Sequence, residues 1–297
     1  MKSYILFFTF CFLSSISFGQ NLVSKKGETF LPDSGDLAIS FDATPFLNYA
    51  GNLFTGKNNA PTAAFVNPTT MTITGKMFIN QKTAYRATVR AGFSSAKESA
   101  FLPDAAATTQ PVFPNPVNIR EDVHKTTKAN IGLGFGKEWR KGKTRLQGLY
   151  GVEGMVWLHS ETHKYEYGNL LSSSVAVDTT TPTTHNFGAN ITKDEYGNTA
   201  RILKDNMGTT FGLGARGFVG AEYFIIPKIS LSAEYGFGVG IAITGARTQS
   251  IESVAGSPAT VGNQTIKSGK KSSFGMDNDI NGGTGSGTAQ LRITFHF

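Results

Sequence analysis

Apolar and polar residues alternate one by one in eight segments of this chain. In the last segment, residues 291–297, every second residue is Leu, Ile or Phe, and the residues between them are Arg, Thr and His. Successive side chains of a β-strand point to opposite faces, so this alternation predicts strands with one apolar face. The predicted strands cover about 35–49, 71–77, 85–93, 130–136, 146–158, 211–223, 229–241 and 291–297.

The connections between these strands alternate in length. Short turns with polar residues or Pro and Gly join some strands, and long polar connections join the others. The turns are predicted at 80–82, 140–143 and 226–228, and the long connections at about 50–69, 95–124, 160–207 and 245–286. This alternation, with an even number of strands, is typical of bacterial outer-membrane barrels. The predicted fold is all-β: an eight-stranded antiparallel up-and-down transmembrane β-barrel with short periplasmic turns and four long extracellular loops.

Composition and charge indicate which face of the strands, apolar or polar, points into the ring. A soluble barrel, such as a lipocalin, turns its apolar faces inward and its polar faces outward. Only 16% of the 297 residues are charged, and the Arg and Glu residues of the strands lie among glycines, too few to cover a soluble exterior. We therefore expect the apolar faces to meet lipid. The net charge of +7 is scattered, so nucleic acid is not an expected partner.

The beginning of the chain has the pattern of a cleaved signal peptide. Lys2 precedes a short apolar core at residues 4–12, and Ser17-Phe18-Gly19 places small residues at positions −3 and −1 of a cleavage site before Gln20. We expect a signal peptide at 1–19, a short periplasmic segment at 20–34 and the barrel domain at 35–297. The one cysteine, Cys11, lies in the signal peptide, which excludes a disulfide scaffold.

The polar faces of the strands bring charged residues into one predicted lumen. An eight-stranded barrel is just wide enough to be filled by side chains, and buried charges need partners. We expect Glu234 to bridge Arg216, Arg292 or both. The predicted network is Asp42, Lys76, Arg86, Arg90, Glu153, Arg216, Glu222, Glu234 and Arg292. It fits a packed polar plug better than a gated ion path.

Other motifs give weaker signals. Residues 277–282 match the first half of a calcium-binding loop, but Thr288 stands where the bidentate Glu would be. His159 and His163 are spaced so that they could meet, although zinc needs three or four ligands. Asp178-Thr179-Thr180 resembles a Bacteroidetes O-glycosylation acceptor at Thr179. We predict no catalytic residues, no cofactor and no metal.

The ending of the chain resembles the C-terminal signal of bacterial outer-membrane barrels. Phe295 and Phe297 carry this resemblance, and they are expected to be read by the barrel assembly machinery. The whole pattern, with Gln20 at the start of the mature chain, resembles small eight-stranded outer-membrane proteins of the OmpA, OmpX and OmpW type and the outer membrane β-barrel proteins of Bacteroidetes. The resemblance implies an outer-membrane location with both termini in the periplasm and contact with membrane lipid and lipopolysaccharide.

Three functions remain open at this stage. The first is a non-enzymatic outer-membrane barrel that is structural or binds partners through its extracellular loops, because loops on a rigid scaffold carry binding. The alternative is a narrow porin or transporter for small or hydrophobic solutes. The third is a lipid-modifying enzyme, which would need Ser, His and an acid near the membrane rim, and no such motif is present.

Overall fold

The computed structural model describes residues 22–43, 72–107, 118–178, 183–277 and 289–297. The predicted signal peptide (1–19), Thr179 and almost all of the calcium-like segment (277–288) lie outside these residues. The described part consists of β-strands, turns and irregular segments and contains no helix. It therefore includes no helix with the length and hydropathy needed to cross a membrane.

All strands belong to one antiparallel sheet of thirteen strands. Their bounds are β1 Leu37–Asp42, β2 Ile73–Asn80, β3 Thr83–Pro103, β4 Ile119–Lys141, β5 Leu146–Glu166, β6 Ile191–Lys193, β7 Thr199–Asn206, β8 Thr210–Ile226, β9 Ile229–Thr244, β10 Thr248–Ala255, β11 Thr260–Lys267, β12 Lys271–Asp277 and β13 Ala289–His296.

Eight of these strands form a closed ring in the order β1-β2-β3-β4-β5-β8-β9-β13, with β13 returning to β1. The ring closes through the register Ile39 opposite Phe295 and Phe41 opposite Ile293. The last residue takes part, because Phe297 N donates to Leu37 O at 2.8 Å. The sequence prediction of eight antiparallel strands, with the last paired to the first, is confirmed.

Three predicted long loops are wrong in part, because they contain regular strands. The connection at 95–124 is largely the far ends of β3 and β4, which pair as far as Pro103 opposite Ile119. The connection at 160–207 contains the end of β5 with β6 and β7, and that at 245–286 contains β10, β11 and β12. These segments are rich in polar residues and have no sustained apolar alternation that would mark them as strands. Backbone pairing to a neighbouring strand is what makes them strands.

The added strands extend the sheet beyond one end of the ring. β7 pairs with β5 past His159, the last residue of β5 that pairs with β8, and β10 and β11 continue outward from β7. This outer sheet (the far ends of β3, β4 and β5, with β6, β7, β10 and β11) has its own small apolar core. That core consists of Tyr165, Ala200, Ile202 and Ile251.

The distribution of side chains in the ring is the reverse of that in a water-soluble protein. Along β5, residues from Gln147 to Trp157 that are buried alternate with exposed ones such as Tyr150 and Val152. The buried face of the ring carries most of its charges, and the exposed face carries the large apolar residues. Exposed apolar residues include Leu37, Ile39, Val89, Leu133, Phe135, Val152, Leu213, Val219, Phe237 and Ile241.

Candidate functional site: the charged interior of the ring

The structure places eight of the nine predicted network residues inside the ring, each at most 5% exposed. The ninth, Asp42 at the end of β1, is partly exposed. The buried eight are Lys76, Arg86, Arg90, Glu153, Arg216, Glu222, Glu234 and Arg292. They come from six different strands, because the ring turns one face of every strand toward a common axis.

Arg86 forms the centre of this interior. Its strand β3 and the strand β9 that carries Glu234 lie opposite each other in the ring, so their ion pair spans it. Arg86 Nη2 lies 3.1 Å from Glu234 Oε2, and Arg86 Nη1 lies 3.3 Å from Glu138 Oε2. The guanidinium also stacks over the Phe218 ring at 4.2 Å. One cation therefore joins strands from opposite walls.

Glu234 contacts one of its two predicted partners. Its Oε2 lies 3.7 Å from Arg292 Nε, while its shorter contacts are to Arg86. Arg216 faces Glu153 instead, at 3.7 Å between Nη1 and Oε2. The expected bridge from Glu234 to Arg292 is therefore present. The additional partner Arg86 was missed because strand order and depth were read from the sequence, whereas the length and direction of each side chain across the lumen were not.

Two interior residues that sequence reasoning missed are Glu138 and Arg140 on β4. Glu138 accepts from Lys76 Nζ at 3.1 Å and from Arg140 Nε at 3.1 Å, and Arg140 also pairs with Glu222. Sequence analysis placed Arg140 in a turn and ended the strand at Gly136. A signal was present: both residues continue the even-numbered positions of the inward glycines 132, 134 and 136. The outward Lys137 interrupted the apolar pattern and hid it.

The interior is also hydrogen-bonded at the end where the chain terminates. His296 lies inside the ring, packed between the Phe78 and Phe224 rings at centroid distances of 5.6 and 5.0 Å. The Ser230 hydroxyl donates to Glu222 at 2.6 Å and lies 3.0 Å from His296 Nε2. Three polar groups from three strands thus fill the bottom of the lumen.

An indole fills the other end of the lumen. Trp157 is 5% exposed and lies against Gly212 of the adjacent strand β8 and Gly240 of the next strand β9, where a β-carbon at Gly240 would be 2.9 Å from Trp157 Cη2. The inward glycines of β8 and β9 thus leave the space that the Trp157 indole occupies. Within the described residues, side chains thus project into the lumen from the His296 end to the Trp157 end.

The outer face of the ring contains apolar depressions. One of about 600 Å³ lies over Ala215 and Gly217 between the rings of Trp139, Tyr150 and Tyr235. Lys137 is an outward charge in this region, and its ammonium lies 5.5 Å from the centroid of Trp139.

The outer sheet holds a second set of buried polar groups. Arg201 is 1% exposed; its Nε donates to Glu252 at 2.6 Å and its Nη2 donates to the Asn169 carbonyl at 2.8 Å. The Tyr167 hydroxyl donates to the Ile202 carbonyl at 2.8 Å, and burial raises the pKa of Tyr167. Ionic and hydrogen-bonded contacts thus order the connections above the ring.

In the structure, His159 and His163 each have a partner other than the expected one. His159 bonds the Asn130 side chain, and His163 meets His124 at 2.9 Å between Nδ1 and Nε2. Within the described ranges, no group of three or more His, Cys, Asp and Glu side chains is placed to hold a metal ion. No family model, curated protein or solved structure matches this chain.

Proposed function

We propose that this chain is a non-enzymatic outer-membrane β-barrel that presents an ordered outer sheet for binding at the cell surface. The observation that carries the proposal is the reversed burial of the ring: arginines, a lysine and glutamates are inside, and large apolar side chains are outside. In water, this arrangement would expose a continuous apolar belt, far beyond the few hundred Å² of a usual monomer patch. In a bilayer the same belt is solvated by acyl chains.

Closure of the ring supports the same proposal. A strand edge inside a membrane leaves backbone donors and acceptors without water, so only closed rings of strands cross bilayers. Here β1 and β13 pair over Ala38–Asp42 opposite Arg292–His296 and leave no edge at the seam. The aromatic residues Tyr85 and Trp139 flank Lys137, which suits the interface where amphipathic rings and lysine side chains reach head groups.

The filled interior favours binding over transport. The Arg86–Glu234 pair spans the lumen, and Trp157 fills it nearer the outer sheet. Opening a path would separate buried ions in a medium where an unpaired ion costs several kcal/mol. The outer sheet, by contrast, is ordered by buried Arg201 and presents polar strands such as β11 to solvent. We therefore propose that the protein functions by binding through that sheet and not by transport.

The test compares two variants. One carries a new arginine on the outward face of the ring, and the other carries a new arginine on the outer sheet. Val156 lies on the outward face of β5 beside Leu133 and Leu213, and Leu170 is 79% exposed in the outer connection. Val156→Arg is expected to cost about 2–4 kcal/mol in a bilayer and to reduce the protein recovered in outer-membrane fractions. Leu170→Arg is the matched control and should leave recovery unchanged.

Two results would overturn the proposal. One is recovery of the wild-type chain, expressed with its own N-terminus in a Gram-negative host, as a soluble periplasmic protein. The other is equal recovery of Val156→Arg and wild type in the outer-membrane fraction, with equal resistance of their unheated gel bands to unfolding in dodecyl sulfate.

A further inference from the structure

Two histidines of the outer sheet face each other with an unusual hydrogen-bonding pattern. His124 on β4 and His163 on β5 approach to 2.9 Å between Nε2 and Nδ1. Their ring centroids are 5.2 Å apart and their planes are only 16° apart, so the two nitrogens meet nearly edge to edge. The Thr126 hydroxyl, registered opposite His163, lies 3.2 Å from both nitrogens. Two ring nitrogens and one hydroxyl oxygen, all able to donate an electron pair to a metal ion, therefore converge on one point.

The outer nitrogens of the same rings already have partners that require their protons. His124 Nδ1 lies 3.0 Å from Glu98 Oε1, and His163 Nε2 lies 3.1 Å from Glu161 Oε1. A carboxylate only accepts hydrogen bonds, so each outer nitrogen is the N–H of its imidazole. In neutral imidazoles the two inner nitrogens then both present lone pairs to each other. Two lone pairs at 2.9 Å repel each other, and either a shared proton or a metal ion bound by both nitrogens relieves that repulsion.

We propose that His124 Nε2 and His163 Nδ1 bind one divalent transition-metal ion, such as Zn²⁺ or Cu²⁺, with the Thr126 hydroxyl at the edge of the site and water completing the coordination. Neutral imidazole is the nitrogen ligand that proteins use for both ions. The site lies on the outer sheet and does not depend on whether the ring spans a membrane.

The local packing allows the small movement that coordination requires. Metal–nitrogen bonds of about 2.0–2.1 Å at a tetrahedral angle separate the two nitrogens by about 3.3 Å. The His124 side chain is 8% exposed and stacked on Tyr165 at 4.4 Å, so it is held in place. The His163 side chain is 21% exposed and can turn outward. Its open side also admits water.

Glu98 and Glu161 complete the chemistry without touching the metal. A carboxylate bonded to the far N–H of a metal-binding histidine fixes its tautomer and makes the ligand more basic. The structure provides one such carboxylate for each histidine, and Lys128 holds Glu161 in place at 2.9 Å. Both histidines are thus oriented before any metal arrives, which lowers the cost of binding an ion whose coordination water completes.

The experiment titrates Zn²⁺ and, separately, Cu²⁺ into the detergent-folded, tag-free chain in a chelator-free buffer, by calorimetry. We expect one ion per chain and a metal-dependent rise in the thermal midpoint of the outer sheet. His163→Asn should abolish both effects. Glu161→Gln and Glu98→Gln should weaken binding roughly 10–100-fold, the usual effect of losing such a carboxylate. His159→Asn is the matched control, since His159 is a β5 histidine that bonds Asn130.

Each outcome of the titration either supports the metal site or contradicts it. Absence of binding by the folded wild type, or equal binding by wild type and His163→Asn, overturns the proposal and leaves the pair as a hydrogen-bonded contact. Should His163→Asn fail to fold, Glu98→Gln decides, because the Glu98 side chain is 65% exposed and its loss does not disturb packing. Unchanged affinity in that variant also counts against the proposal. Membrane recovery is measured separately, so failure here leaves the proposed barrel unaffected.

Discussion

At the scale of single residues, the interior depends on which positions carry no side chain. Gly212 and Gly217 lie on the same strand, β8, five residues apart and on opposite faces. A β-carbon at Gly212 would lie within the indole of Trp157, whereas one at Gly217 would meet nothing within 4 Å. The same residue type therefore has a packing role at one position and none at the other, and sequence alone does not distinguish the two.

This contrast gives a paired prediction. Gly212→Ala should destabilise the folded ring by about 1–3 kcal/mol, because overpacking displaces Trp157 or the β8 backbone. Gly217→Ala should be neutral or slightly stabilising, since Gly in a strand costs roughly 0.5–1 kcal/mol relative to Ala. Urea unfolding in detergent, followed by Trp fluorescence, measures both. Equal stability of the two variants would show that Trp157 does not occupy the Gly212 position.

Arg86 is the residue whose loss should matter most in the interior. Arg86→Met keeps the length of the side chain but leaves Glu234 and Glu138 short of a cation, and breaking a buried pair costs about 3–5 kcal/mol. Arg120→Met is the control, because Arg120 pairs with Asp104 on the surface and its side chain is 51% exposed. The measurement is the urea midpoint in detergent. A similar midpoint for both variants would mean that the central pair contributes nothing net.

At the scale of elements, sequence pattern predicted strands only where one face was apolar. It located all eight ring strands, because an exposed apolar face opposite a buried polar face gives strict alternation. It missed β7, where Ala200, Arg201 and Ile202 are buried in succession. Its register with β10 shifts between Ser250 and Ile251, and such a shift breaks the two-residue period. Elements that depend on pairing with a distant strand leave no local pattern.

The β10–β11 hairpin can be tested as a separable element. Ser268 N donates to the Arg247 carbonyl at 2.9 Å, so the two ends of the hairpin meet. Replacing residues 248–267 with a two-glycine link should leave the ring assembled, because neither β10 nor β11 pairs with a ring strand. It removes Ile251 from the core around Tyr165, so limited proteolysis should cut residues 160–207 faster than in the intact chain. Loss of the ring itself would contradict the separation.

The closing strand gives a prediction about assembly. Phe297 is 62% exposed, and its backbone is paired with Leu37. Phe297→Ala keeps the backbone pairing and removes only the ring, so it should lower the fraction assembled in the outer membrane while leaving refolding in detergent unchanged. Phe274→Ala, at an exposed Phe of β12, should change neither. Unchanged assembly of Phe297→Ala would refute a role for the terminal aromatic as a signal.

At the scale of the whole molecule, the sequence identified the two faces and their charges but not the partners. Placing Arg292 inside needed the strand period together with the low charge content of the chain, which decided which face points inward. Pairing Arg86 with Glu234 needed the diameter of the ring, because these residues are 148 positions apart and on opposite walls. Glu138 was missed for a related reason. Its strand continues past Lys137, an outward-facing lysine that interrupts the apolar face. Charge placement follows from period and composition, and charge pairing follows from three-dimensional closure.

The balance of charge inside the ring decides what the molecule would pass if it were opened. Cations outnumber carboxylates among the buried residues of the described ring strands, leaving aside the far end of β4 in the outer sheet, where Asp122 is buried. The six cations are Lys76, Arg86, Arg90, Arg140, Arg216 and Arg292, and the four carboxylates are Glu138, Glu153, Glu222 and Glu234. A positive lumen concentrates anions. The wild-type ring should be nearly non-conducting in a planar bilayer, because its central pairs are made.

Glu234→Ala should open this path and reveal its sign. It frees Arg86 and Arg292 from their shared carboxylate and removes one of the groups that fill the centre, so single-channel conductance should rise and reversal potentials in a KCl gradient should indicate anion preference. Glu166→Ala is the control, because Glu166 lies on the outer sheet and its side chain is 64% exposed. Steady conductance of the wild type would favour a narrow pore over a plug, and cation preference in Glu234→Ala would mean that ions pass by a route other than this lumen.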